Sequence, residues 1–277
     1  MTVNMGTIWD RTTRFLGDNL RAALPVVTLA ILLPQAVGGI VQLGAASIGQ
    51  PAAQGIGLIL TLIALWGQLF LIAFALRPEA GTQAAGTVAT GGYGRALLVM
   101  LVLFVVLLLL LVPPAIVLAG SGVDLAQLAS GQPPATEPDI SIGAGLFLGL
   151  YTIALLIVAL FVMARFTPLY AVLLAERRGL GAIGRSIAIT RGLTWKLVGV
   201  WLLFLLVFVV ASAAARSVLG VIVGLIFSSD AVFSPAAVVG AIAAALVTTG
   251  FTVIVAAFSA NLYRAVVPAP VGAADPA

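Results

Sequence analysis

The sequence predicts an all-α, polytopic membrane protein: six transmembrane helices, with amphipathic helices lying along the cytoplasmic interface. Three observations carry that reading. Of 277 residues, 62% are hydrophobic and 8% charged, where a soluble domain has roughly a quarter charged; mean hydropathy is +1.23. Six apolar runs each reach the roughly 20 residues needed to cross a hydrocarbon core of about 30 Å. The basic residues gather at the ends of those runs, on one side.

The chain opens with residues 5–20, which read as an amphipathic helix. Met5, Ile8, Trp9, Thr12, Phe15, Leu16 and Leu20 share one arc at about 100° per residue. Asp10, Arg11, Arg14 and Asp18 lie opposite, and Thr7 is placed to cap the start. Such a helix is expected in the headgroup plane, apolar face down. Acidic residues among the basic ones and the lack of a cleavage site argue against a signal peptide.

The spans run about 22–44, 55–76, 96–119, 142–164, 197–215 and 236–262 within a single domain of residues 1–265. No Lys or Arg lies between the first two, or in the loop 120–141, and the loop 228–235 holds only Asp230. Twelve of the thirteen basic residues therefore fall on one side, which the positive-inside rule makes cytoplasmic, in a bacterial inner membrane with both termini inside. Trp9, Tyr93, Trp195 and Tyr263 sit beside basic residues, as interfacial belts do. The thirteenth, Arg216, is about 30 Å along a helix from Lys196 and falls at the outer interface; the alternative is a buried arginine that holds an anion. Residues 217–227 then read as a re-entrant or interfacial piece. Pro168 is expected to end the fourth span and turn FTPLYAVLLAE along the inner surface. Residues 266–277 read as a disordered cytoplasmic tail. LRAALPVV, GRALLVML and WKLVGVWL suggest three units of surface helix plus hairpin, although the middle preamble, GTQAAGTVATGGYG, reads as a poor helix.

Two polar stripes stand out. Thr28, Gln35 and Gln42 are seven apart in the first span, as are Gln54, Thr61 and Gln68 in the second. Heptad spacing keeps each set near one face. Antiparallel packing would pair them as an interhelical hydrogen-bond seam, or as a polar translocation path. Small residues four apart, Gly145/Gly149 and Ala237/Ala241/Ala245, mark close packing.

The absence of Cys and His removes thiol nucleophiles, disulfides, Cys/His metal sites and imidazole acid–base chemistry. The nine carboxylates are scattered. No catalytic residue, metal site or cofactor is expected, and the topological placement of the positive charge argues against a nucleic-acid partner. The densest charge is in residues 176–196. There Arg177, Arg178, Arg185, Arg191, Trp195 and Lys196 are candidates for contact with lipid headgroups or a protein partner, and topogenic charge alone is the plainer alternative.

The run Glu176 to Leu197, ERRGLGAIGRSIAITRGLTWKL, resembles the bacterial glycerophosphodiester phosphodiesterase membrane-domain family. In that family a Glu precedes A-x-x-R-S-W-x-L-T-R-G-x-x-W-R at the mouth of a span. Arg185, Ser186, Thr190, Arg191, Gly192, Trp195 and Lys196 match in place, and Ile187 stands where Trp is usual. The resemblance implies a helical membrane domain, often fused to or beside a catalytic phosphodiesterase domain that this chain does not carry. The expected function is a non-catalytic membrane module that binds phospholipid or a partner protein, in lipid metabolism or envelope maintenance. The alternative is a transporter of lipid or a small solute.

Overall fold

The computed structural model describes residues 4–129, 140–226 and 234–267, and these contain helices and turns without a strand. Helix α1 (Met5–Val27) passes through a π-helical turn (Thr28–Leu32) into α2 (Leu33–Leu43). A short α3 (Ala45–Ile48) leads to α4 (Gln50–Leu76), a 3₁₀ turn (Pro78–Ala80) and α5 (Gly81–Gly120). Then follow α6 (Leu125–Ala129), α7 (Ile142–Phe166), α8 (Leu169–Ala175), α9 (Gly181–Ile189), α10 (Thr194–Ile226) and α11 (Pro235–Val266). Six stretches are long and apolar enough to cross a membrane: Met5–Leu43, Gln50–Leu76, Pro78–Gly120, Ile142–Ala175, Thr194–Ala215 and Pro235–Val266. The chain is a helical multi-pass membrane protein.

Helix α11 packs on α10, α4, α1, α2 and α8, while α4 also carries α5. The core lies at one end, where Arg264 Nη1 of α11 donates to Ala75 O of α4 and Tyr263 OH donates to Glu176. At this basic end Leu69 to Ala75 are all buried, together with Ala85, Ala89 and Ala96 of α5. The remainder is splayed. Beyond Val99, large α5 side chains such as Leu107 and Leu109 are exposed, and Ala164 is the buried residue of α7. Apolar exposure of that extent fits lipid contact.

Several expectations are corrected. The amphipathic helix and the first span form one continuous helix, capped by the Asn4 side chain rather than Thr7. Part of its apolar face packs on protein, while Trp9 and Leu20 of the same arc stay exposed. Ile8 joins Ala164, Leu197 and Leu262 in one buried cluster, Thr12 meets Asn261, and the Phe15 ring meets Phe74 at 5.7 Å. The first half of α1 thus crosses the basic ends of α7, α10, α11 and α4 in turn.

The Gly-rich segment 81–94 is helical, because its small residues form a stripe. Ala85, Ala89, Gly92 and Ala96 are buried at spacings of three and four. A Cβ on Gly92 would sit 2.5 Å from Leu174 Cδ2, so glycine permits the close approach of α8.

The break at Pro168 is present, yet α8 does not run along the surface. Ala171, Val172 and Leu173 are fully buried, because α8 fills the space between α4, α5 and α11. Residues 217–226 prolong α10 instead of re-entering; helical continuity satisfies their backbone within the segment, as an apolar medium demands. Residues 268–277 of the expected tail lie outside the described residues.

Candidate functional site: an arginine-lined cavity

Three polar side chains hold the break between α7 and α8. Pro168 lacks the N–H that would bond Ala164 O. Thr167 Oγ1 takes over that carbonyl at 3.1 Å and Met163 O at 3.0 Å. Ser259 Oγ of α11 donates to Thr167 O at 2.6 Å, and Ser186 Oγ of α9 donates to Arg165 O at 2.7 Å. Arg165 Nη1 in turn donates to Ile187 O at 3.0 Å. Carbonyls freed by the kink are therefore paired, and α8 and α9 are fixed against the bundle.

The turn after α8 carries the candidate site. Glu176 accepts from Arg178 Nε (2.8 Å), Arg185 Nε (3.0 Å) and Tyr263 OH (3.3 Å). Between the two held residues Arg177 adopts φ +52°, a left-handed conformation that side chains other than glycine rarely take. Its side chain lines a cavity of about 900 Å³ at the basic end. Four more arginines line that cavity: Arg11 of α1, Arg77 after α4, Arg95 of α5 and Arg264 of α11. None of the lining residues is acidic. Ala80, Ala84, Ala85 and Gly91 leave the room, and Leu76, Val88 and Leu174 make part of the wall apolar.

Arg264 gives one N–H to Ala75 O, near the C-terminal end of α4 where a cation is favoured, and Arg95 gives one to Gly91 O. Among the described residues, Arg11, Arg77 and Arg177 have no protein acceptor. Guanidinium forks converging without carboxylates suit phosphate or carboxylate oxygens. The described residues bring no three His, Cys, Asp or Glu together for a metal.

Of the six residues singled out in 177–196, Arg177 alone reaches this cavity. Arg178 and Arg185 are held by Glu176. Arg191 and Lys196 are exposed elsewhere, and Trp195, 75% exposed, stands edge-on to Phe161 at 5.1 Å. Arg11, Arg77, Arg95 and Arg264 were not expected as site residues. Arg77, Arg95 and Arg264 flank predicted spans and Arg11 lies on the predicted amphipathic helix, so on the positive side each reads in sequence as topogenic; convergence from five parts of the chain appears only in three dimensions.

The polar seam does not form as expected. Thr28, Gln42, Gln54 and Thr61 are exposed, and Thr61 Oγ1 donates to Gly57 O of its own helix. Gln35 and Gln68 are half-buried, and no hydrogen bond joins the two sets among the described residues. The helices meet beside the stripes, through Gly38 with Leu60 and Gly67 with Ala30 and Ile31. Small residues allow closer backbone approach than glutamines do. Gln68 instead lines a cleft of about 390 Å³ with Trp201, Phe204, Thr248, Phe251 and Thr252.

The architecture and this site define a multi-pass helical membrane protein with an arginine-lined cavity at its basic end. Comparison with protein-family models, curated proteins and solved structures finds no match for the chain.

Proposed function

We propose that the protein is a non-catalytic membrane module that binds anionic phospholipid at the arginine-lined cavity, in lipid metabolism or envelope maintenance. The observation that carries this reading is the convergence of five arginines and no carboxylate on one cavity with partly apolar walls. Basic pockets at the cytoplasmic side of transmembrane bundles suit anionic headgroups, at about 1 kcal/mol for each nearby Lys or Arg. The location that follows is the bacterial inner membrane, both termini cytoplasmic, supported by the one-sided basic residues. The resemblance of Glu176–Leu197 to the glycerophosphodiester phosphodiesterase membrane domains supports a lipid-linked role and a protein partner beside it.

A transport reading has one observation behind it: Gln68 and two threonines line one cleft. The separated polar stripes weaken it, and lipid binding is preferred.

Thermal unfolding of delipidated protein tests the proposal. A ligand that binds only the folded state at a hundredfold excess over Kd adds about 2.7 kcal/mol. Phosphatidylglycerol is expected to raise Tm and phosphatidylcholine is not, with the difference lost in Arg77→Gln/Arg177→Gln. Equal effects of the two lipids on the native protein would refute it.

A further inference from the structure

The cavity's charge and size specify its ligand further, and this step rests on the headgroup reading above. We propose that the site recognises a lipid headgroup carrying two phosphate groups rather than one.

A single phosphodiester has one negative charge and two free oxygens, which one or two arginine forks satisfy. Here five guanidinium groups line one space, and no lining carboxylate offsets them. Among the described residues, Arg95 and Arg264 alone of the five spend an N–H on protein, each on a backbone carbonyl. Among the described residues Arg11, Arg77 and Arg177 find no protein acceptor, so a one-phosphate ligand would leave most of the wall's positive charge without a partner.

One neighbouring acid is withheld from the cavity. Glu176, next in sequence to Arg177, is held by Arg178, Arg185 and Tyr263 and is not among the lining residues. The same grip fixes the turn that gives Arg177 its left-handed backbone, a strain of the kind stored at binding sites. The volume of about 900 Å³ is ample for two phosphates and their bridge, near the upper end of ligand pockets at about 1,000 Å³. Leu76, Val88 and Leu174 provide apolar wall for the lipid part of such a ligand.

The test is displacement of a fluorescently labelled cardiolipin, which carries two phosphodiesters, from the purified full chain in detergent micelles. Competitors are unlabelled cardiolipin, phosphatidylglycerol at matched phosphate, and inorganic pyrophosphate. Cardiolipin is expected to compete about tenfold better than phosphatidylglycerol per phosphate, the effect of one additional charge-assisted contact. Arg77→Gln and Arg177→Gln should each remove most of that margin at unchanged Tm. Should either variant unfold, Arg11→Gln and Arg95→Gln address the same wall. Equal competition by the two lipids overturns the two-phosphate assignment and leaves the headgroup reading standing. Failure of the labelled lipid to bind overturns both. Displacement by pyrophosphate at the concentration where cardiolipin acts assigns the site to a soluble diphosphate and overturns the lipid source.

Discussion

Glycine-to-alanine substitution separates the close contacts of this bundle from its open faces, and Gly67 is the sharpest case. A Cβ there would lie 2.8 Å from Ile31 Cγ1, 2.9 Å from Ala30 Cβ and 3.0 Å from Ala30 O. Carbon atoms pack best at about 3.5–4.0 Å, so the new methyl intrudes by nearly an ångström. One contacting atom is backbone, inside the π-helical turn of the first span, and it cannot rotate away. The helices must separate, which costs about 1–3 kcal/mol, against roughly 1 kcal/mol gained from alanine's helix propensity. Gly92→Ala differs in kind: its closest neighbour is the flexible end of Leu174, and the next atom is 3.6 Å away. Gly86, with nothing within 4 Å, should gain from the substitution. Thermal unfolding in one detergent is therefore expected to rank Gly86→Ala above native, Gly92→Ala near native and Gly67→Ala below. At about 2–4 °C per kcal/mol, Gly67→Ala should lose a few degrees. A Gly67→Ala protein as stable as Gly86→Ala would refute the packing described for the first two spans.

Three further outcomes are expected. Ser259→Ala leaves the buried Thr167 carbonyl without its donor, and chemical unfolding should show a loss of about 1–2 kcal/mol. Arg177→Gly relieves a left-handed backbone and removes a cavity cation, so Tm should hold or rise while anionic-lipid retention falls; a clear drop in Tm would contradict the strain. Because the chain has no cysteine, single replacements report topology directly. With the expected orientation, Asp124→Cys reacts with an impermeant maleimide in intact cells and Glu79→Cys reacts only after permeabilisation; the reverse pattern would invert the assignment.

The spans were legible because length and continuity of an apolar run survive without knowledge of what each face touches. Charge placement was legible for the same reason. Which face packs was not, since helices such as α5 and α7 are apolar all round and leave no polar side to mark outward. In the first two spans the polar stripes misled, because contact lies on Gly38, Leu60 and Gly67, where small residues let the backbones approach. The segment of α8, read as a surface piece, is likewise apolar all round and is buried. Residues 81–94 looked unfit for a helix on propensity, and close packing of Ala85, Ala89 and Gly92 overrides it. Residues 176–196 hold the densest charge in the sequence, yet Ser186 and Arg185 serve to fix α9 and Glu176. Four of the five cavity arginines lie outside that segment.

The most direct test of the central claim is native mass spectrometry of the protein released gently from its own membrane. The native chain is expected to carry anionic phospholipid, and Arg191→Gln, altered at an exposed arginine away from the cavity, should carry the same complement. Arg77→Gln/Arg177→Gln should appear folded and without that lipid. Retention of the same anionic lipid by the double variant, or a native chain without bound lipid, would contradict the account.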